Sequence, residues 1–161
     1  LNLGFDAMVA KNVDKFRKVP FISGKAKYNL SIFFTLLRNK NFKFKIRFDN
    51  KNSIKGNFTL AAICNGKFYG GGVCPCNYAV VNDGILNTCI VDSTSIRKKI
   101  ILLPKYKKGI HYDLKEVKMN NCNSISIVSN KMFPVSIDGE IIYTNKLKAT
   151  VIKEAVNIVH I

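Results

Sequence analysis

Acidic side chains are scarce in this chain, ten Asp and Glu against twenty-six Lys and Arg, so the few that stand in forced turns draw attention first. Glu140 follows Asp138-Gly139, and Asp83 lies in Val81-Asn82-Asp83-Gly84. A carboxylate held beside a tight turn can strip a proton from a hydroxyl, provided that hydroxyl comes within hydrogen-bond reach. It can also hold a hard cation, with carbonyl oxygens of the turned backbone as further ligands. A third feature, Gly70-Gly71-Gly72, would let main chain approach a phosphate closely. It is not a phosphate-cradling P-loop, because Val73-Cys74-Pro75 follows where Lys and Ser or Thr are required. On residue types alone each feature also has a plain structural account: a hairpin turn, a loop turn, and a bulge or bend beside a strand.

The formal charge of +16 is spread over clusters at Lys11–Lys27, Arg38–Arg47, Arg97–Lys108 and Lys146–Lys153. Such a surface attracts polyanions, whether phospholipid headgroups, nucleic acid or nucleotide phosphates, and does not choose among them. Five cysteines cannot all pair, and Cys74-Pro75-Cys76 lacks the two-residue spacer of zinc knuckles and redox motifs. Buried thiols in a reducing, cytoplasmic compartment are expected. The longest apolar run, Leu30 to Leu37, is too short to span a bilayer. The chain opens on Leu1 with neither a charged leader nor a cleavage site, so we expect a piece of a longer protein rather than a secreted one.

The elements that must position these residues follow from periodicity. Helices are expected over Ala7–Lys18 and Ala26–Arg38, the second with Leu30, Phe33, Phe34 and Leu37 along one face. Phe42, Phe44, Ile46 and Phe48 alternate with Lys43, Lys45 and Arg47, the pattern of a half-buried strand. After a turn at Asp49–Asn52, Ser53–Cys64 returns as a second strand, and Asn65-Gly66 predicts a tight hairpin. Leu86–Val91 is a further strand. Ser95–Leu103 reads as a capped helix with Ile96, Ile100 and Leu103 on one face and Pro104 after its end. Strands then recur at Ser124–Ser129, Val135–Ile137, Ile141–Tyr143, Lys146–Ile152 and Val156–His160. The expectation is one domain over residues 1–161, mainly β in the α+β sense: an antiparallel β-sandwich with an N-terminal helical lead-in and a middle helix.

Taken in order, Asn2-Leu3-Gly4-Phe5-Asp6-Ala7, the helix bearing Tyr28, Asn65-Gly66, the glycine triplet, Asn82-Asp83-Gly84 and Asp138-Gly139-Glu140 resemble the C-terminal half of the bacterial diacylglycerol kinase and lipid kinase family. The resemblance covers nearly the whole chain and implies specific roles. Glu140 would be the catalytic base, with Asp138 and Gly139 shaping its turn. A structural Mg²⁺ would be held by Asp83 and the main-chain carbonyls of Val80 and Ile85. Asn65, Gly70, Gly71 and Gly72 would form part of the wall between two domains. Asn82 stands where many members carry a second acid, which lowers the negative charge of that loop. The family's Gly-Gly-Asp-Gly-Thr nucleotide loop is not in this sequence, so Mg-ATP would bind a preceding domain and the piece alone would be inactive.

The resemblance thus implies an ATP-dependent kinase of a lipid hydroxyl, diacylglycerol first and phosphatidylglycerol or a sphingoid base as alternatives. It implies a protein peripheral to an anionic membrane, with a homodimer left open. The rivals are a non-catalytic lipid-binding module and a basic β-domain for nucleic acid. Nucleic acid is disfavoured, since Phe42, Phe44 and Phe48 lie on the strand face opposite the bases and read as core rather than as a stacking platform.

Overall fold

The continuous apolar run Phe58–Cys64 belongs to a strand covered on both faces, whereas the alternating run Phe42–Phe48 belongs to one with a wet face. A computed structural model, describing residues 1–17, 23–38, 40–70 and 72–155, places them side by side. Among these residues seven antiparallel strands form one connected sheet: β1 (Asn2–Gly4), β2 (Phe42–Phe48), β3 (Asn52–Cys64), β4 (Leu86–Asp92), β5 (Val117–Cys122), β6 (Ser124–Ile137) and β7 (Glu140–Thr150). Among the described residues three helices accompany it, α1 (Phe5–Arg17), α2 (Gly24–Arg38) and α3 (Ile96–Lys108). The mainly β, antiparallel expectation is met.

Within the sandwich, Phe44, Ile46, Phe58, Ala61, Ile63, Ile90, Ile127, Phe133 and Val135 form one core, with Phe44 edge-on to Phe133 at 4.9 Å. A bulge between Phe58 and Leu60 switches the side-chain parity of β3, so Leu60, Ala62 and Cys64 face outward. There they meet Phe5, Val9, Leu102 and Tyr106 of α1 and α3 in a second core. The helices thus cover only the part of the outer face beyond the bulge.

β1 is a feature that periodicity did not reveal, since residues 1–38 read as a helical lead-in. It slots between β3 (Leu3↔Ala61) and β6 (Leu3↔Val135), above the point where β2 fills the same slot. Gly4 makes this fit possible: its φ is +76°, and a Cβ there would stand 2.6 Å from the Thr59 carbonyl oxygen.

Several element expectations are corrected. α1 begins at Phe5, two residues early, and Lys18 lies outside the described residues. α2 turns its Phe33, Phe34 and Leu37 stripe to solvent, with Phe33 and Leu37 at 54% and 59% exposure. Its inward face holds Ser31 and Thr35, with Asn12 of α1 donating to Thr35 Oγ1 at 2.9 Å, and Tyr28, Ile32 and Leu36 packed against the second core. Asn65-Gly66 forms no hairpin, for neither residue has positive φ. Residues 65–85 instead leave the sheet so that Val73, Cys76 and Ala79 reach the second core. α3 runs through Pro104 to a left-handed cap at Gly109, burying Lys99, Leu102 and Tyr106 while Ile100 and Ile101 are exposed. Proline deprives the Ile100 carbonyl of its helical donor, and on this solvated face water can replace it. The separate strand segments expected after residue 124 are two long strands, β6 and β7, and Val156–His160 lies outside the described residues. All five thiols are free and buried. No helix among the described residues is long and apolar enough to cross a membrane.

The β2–β3 turn is as expected, with positive φ at Asp49 and Asn50. Asp49 Oδ1 also accepts from the main-chain N–H groups of Asn123 (2.9 Å) and Ser124 (2.8 Å), tying this turn to the β5–β6 turn.

Substituting Gly4→Ala sets a Cβ against backbone and forces a left-handed φ on an L-residue. We expect a loss of about 2 kcal/mol, or roughly 4–8 °C in Tm, by thermal melting. An unchanged Tm would show that β1 is not locked by this approach.

Candidate functional site

The tip of the β6–β7 hairpin is a two-residue turn, with Ile137 paired to Glu140 and positive φ at Asp138 (47°) and Gly139 (100°). These angles match the right-handed strand twist, the reason an Asp-Gly turn was legible in the sequence. Lys11 of α1 sits 4.7 Å above the Tyr143 ring and hydrogen-bonds its hydroxyl, fastening the hairpin to α1. Asp138 and Gly139 are thereby held over a cavity of about 380 Å³, whose wall also includes Leu1, Asn2, Asp6, Tyr28, Tyr69 and Gly70. Glu140 is exposed and follows directly on this wall.

Gly70 and Gly72 close a small hairpin through a Tyr69–Val73 bridge, their φ values +49° and +94°. Gly71 lies outside the described residues. Gly70 and Gly72 therefore turn the chain so that Tyr69 and Gly70 lie on the cavity wall beside the hairpin tip. Asn65 is not on this wall: its side chain donates to the Val81 carbonyl at 3.2 Å, so it braces the Asp83 loop instead. That loop is a separate place. Asp83 Oδ1 accepts from the Ile85 N–H at 2.9 Å, and Asn123 donates to the Gly84 carbonyl at 2.8 Å. The carbonyls of Val80 and Ile85 accept no hydrogen bond among the described residues, so they and the second Asp83 oxygen suit a hard cation. No group of three or more His, Cys, Asp or Glu side chains is placed to hold a metal among the described residues.

The residue that sequence inspection passed over is Asp6. It is the lone charged side chain in the first ten residues, an acid set in an otherwise apolar run, and that was its signal. Tyr106 donates to Asp6 Oδ2 at 2.9 Å, Tyr69 donates to the same oxygen, and the two phenol oxygens are 3.1 Å apart. Burial holds the Asp6 carboxyl above the ordinary range, opposed by the two tyrosine hydrogen bonds. Burial, and then the Asp6 charge, push both phenols well up, so both remain donors. Asp6, Val9 and Tyr28 also line a second cavity of about 280 Å³, walled by Phe5, Ile32, Val73 and Leu103. A polar mouth and an apolar chamber thus lie on either side of one wall that contains Asp6, Val9 and Tyr28. In the mouth, the buried Asn2 amide oxygen has no hydrogen-bond partner. Together these groups can orient a hydroxyl-bearing head while an apolar tail enters the chamber.

The profile of the YegS C-terminal NAD kinase β-sandwich-like domain matches residues 1–160, and the chain belongs to that family. It is 29% identical over 124 residues to a diacylglycerol kinase of Mycobacterium tuberculosis, covering 77% of this chain and 39% of that protein. It is 30% identical over 162 residues to a Staphylococcus aureus protein provisionally named a lipid kinase, covering 98% and 51%. The chain therefore spans about half or less of the relatives it matches. A Bacillus anthracis crystal structure, provisionally titled a diacylglycerol kinase, superposes with TM-score 0.63 at 21% identity over 89% of this chain and 45% of that one, a likeness of fold.

Raised by burial, the Asp6 pKa makes folding take up a proton between the ordinary aspartate value and the folded one. Stability should fall as pH rises through that interval from about 4 upward. Asp6→Asn cannot ionise and should lose this fall, gaining on wild type as pH increases, in melts from pH 3 to 8. Parallel curves for the two proteins would contradict the burial of this charge.

Proposed function

We propose that the chain is the lipid-side half of an ATP-dependent lipid kinase, acting on diacylglycerol. The observation that carries it is the convergence of Asp138-Gly139, Gly70 and Asp6 on one cavity, which shares Asp6, Val9 and Tyr28 as wall with an apolar chamber, in a member of this family. A glycerol head with one free hydroxyl suits the polar mouth. Its acyl chains suit the chamber between α1, α2 and α3. Leu1 lies on the cavity wall, so a domain joined ahead of it would stand over the site and bring ATP to it.

In the reaction the Asn2 amide and Asp6 orient the head, and Glu140 accepts the hydroxyl proton. The lipid oxygen forms a bond to the γ-phosphorus as the bond to the bridging oxygen breaks, and ADP leaves. Positioning and electrostatics supply most of the acceleration in such transfers. Mg²⁺ bound by Asp83 and the Val80 and Ile85 carbonyls would brace the loop away from the chemistry. Mg-ATP belongs to the preceding domain, so this half alone should neither bind ATP tightly nor turn over. The compartment is the cytoplasm, at the membrane face where the substrate resides.

Glu140→Gln in the full-length protein should lower kcat on the order of 10²–10⁴-fold while folding and ATP binding persist. Asp138→Asn should cost far less. Near-full turnover by Glu140→Gln on diacylglycerol, phosphatidylglycerol and sphingoid bases would remove Glu140 from the mechanism. Thermal melts with and without Mg²⁺ test the brace: wild type should gain Tm with the ion and Asp83→Ala should not. Identical responses would show that the loop holds no cation.

A further inference from the structure

The helices leave part of the sheet's outer face uncovered, and strand register determines what that part displays. Reading across β3, β2, β6 and β7, one row is Lys55, Lys45, Val128 and Lys146, and the next is Ser53, Arg47, Ser126 and Lys148. All five cations of these rows are exposed, and Lys43 extends the face along β2. No Asp or Glu occupies either row. The ion pairs among the described residues, such as Lys98–Glu116 and Lys118–Asp92, involve none of these cations.

This arrangement works against folding. Lys45 and Lys55 are directly opposed across the β2–β3 ladder, and like charges at such positions are destabilising. Neighbouring strands lie about 4.8 Å apart, so the cations form a close lattice that an anionic surface would neutralise. The lattice carries aliphatic groups as well: Val128 at its centre is 41% exposed and Met132, where β6 parts from β2, is 59% exposed. Beside Met132 a cleft of about 680 Å³ opens between the two strands, rimmed by Lys40 and Lys131. Phe42, Phe44 and Phe133 line the floor of this cleft, but Phe44 and Phe133 are buried and Phe42 is half-buried against the core, so the groups that protrude from the face are aliphatic and offer no exposed ring on which bases could stack. A plane of cations with two protruding aliphatic side chains fits a lipid surface better than a nucleic-acid groove.

We propose that the outer face of β3, β2, β6 and β7 is a docking surface for an anionic phospholipid bilayer. Lys43, Lys45, Arg47, Lys55, Lys146 and Lys148 meet the phosphates, while Val128 and Met132 enter the interface. This deepens the lipid-kinase reading, on which its purpose rests. The hairpin supplying Lys146 also supplies Glu140, six residues away and therefore about 20 Å along β7. Docking on this face holds the candidate cavity close to the membrane from which a lipid substrate must come.

The test is co-sedimentation of the chain with phosphatidylglycerol/phosphatidylcholine vesicles at 50 and 300 mM salt, with pure phosphatidylcholine vesicles alongside. Wild type should bind the anionic vesicles, salt-sensitively, and the neutral ones at least tenfold less. Lys45→Glu/Lys55→Glu/Lys146→Glu should lower partitioning at least ~30-fold, since each base near an anionic leaflet contributes several-fold. Arg97→Glu/Lys108→Glu/Lys115→Glu makes the same change of net charge at exposed positions off this face and should stay within about threefold of wild type. If the first variant does not fold, the neutral set Lys45→Gln/Lys55→Gln/Lys146→Gln replaces it, with a loss of at least ~10-fold expected. Equal losses in the face and control variants would overturn the proposal, as would tighter binding of a DNA duplex than of anionic vesicles at equal phosphate. Turnover of detergent-dispersed diacylglycerol by the full-length protein is a separate readout. If wild type turns over the dispersed substrate yet does not bind anionic vesicles, the docking face is overturned and the kinase reading stands.

Discussion

The close approach of β1 to β3 at Gly4 is the constraint from which the rest of the structure follows. Three residues, Asn2–Gly4, fill the slot between β3 and β6, and they fit because Gly4 has no Cβ to meet the Thr59 carbonyl. The wedge completes the sandwich core through Leu3 and then turns straight into α1. It therefore sets Asn2 and Asp6 on one wall while β6, its other neighbour, carries Asp138 and Gly139 to the opposite side. The candidate cavity is the space those two constraints leave. Because β1 is so short, β2 fills only the lower part of the slot, and the cleft near Met132 arises from the same mismatch.

Buried polarity then fixes the interior of the site. Asp6 lies where desolvation disfavours its charge, and Tyr69 and Tyr106, from the glycine hairpin and from α3, converge to hydrogen-bond it. Three chain segments distant in sequence are held in register by one carboxyl group. Removing one donor would leave a half-buried, desolvated acceptor partly unsatisfied, which makes this cluster a specific constraint on the three segments.

Much of the sheet was legible because its chemistry is local. The alternation of Phe42–Phe48, the Asp49-Asn50 turn and the Asp138-Gly139 turn depend on neighbours in sequence, and each stands as expected. What was hidden depends on tertiary partners. The outward stripe of α2 cannot be told from a core stripe by its spacing. The Asn12–Thr35 hydrogen bond and the packing of Tyr28, Ile32 and Leu36 on the second core show which face turns inward. Pro104 reads as a helix end until Gly109 and the buried Tyr106 show that the helix is held beyond it. At the site, Glu140 and the glycines were found through resemblance, whereas Asp6 needed the structure: its partners lie 63 and 100 residues away. The cationic rows were equally out of reach, since register alone aligns Lys55, Lys45 and Lys146.

The central claim is that a lipid head sits in the mouth at Asp6 with its tail in the chamber between α1, α2 and α3. Photo-crosslinking the full-length protein with a diacylglycerol bearing a diazirine in one acyl chain, followed by peptide mass spectrometry, tests it most directly. The label should appear on peptides containing Val9, Tyr28, Ile32 or Leu103, and excess unlabelled diacylglycerol should remove it. Label confined to the sandwich interior, around Phe44 and Phe133, or to the strands of the cationic face would contradict it.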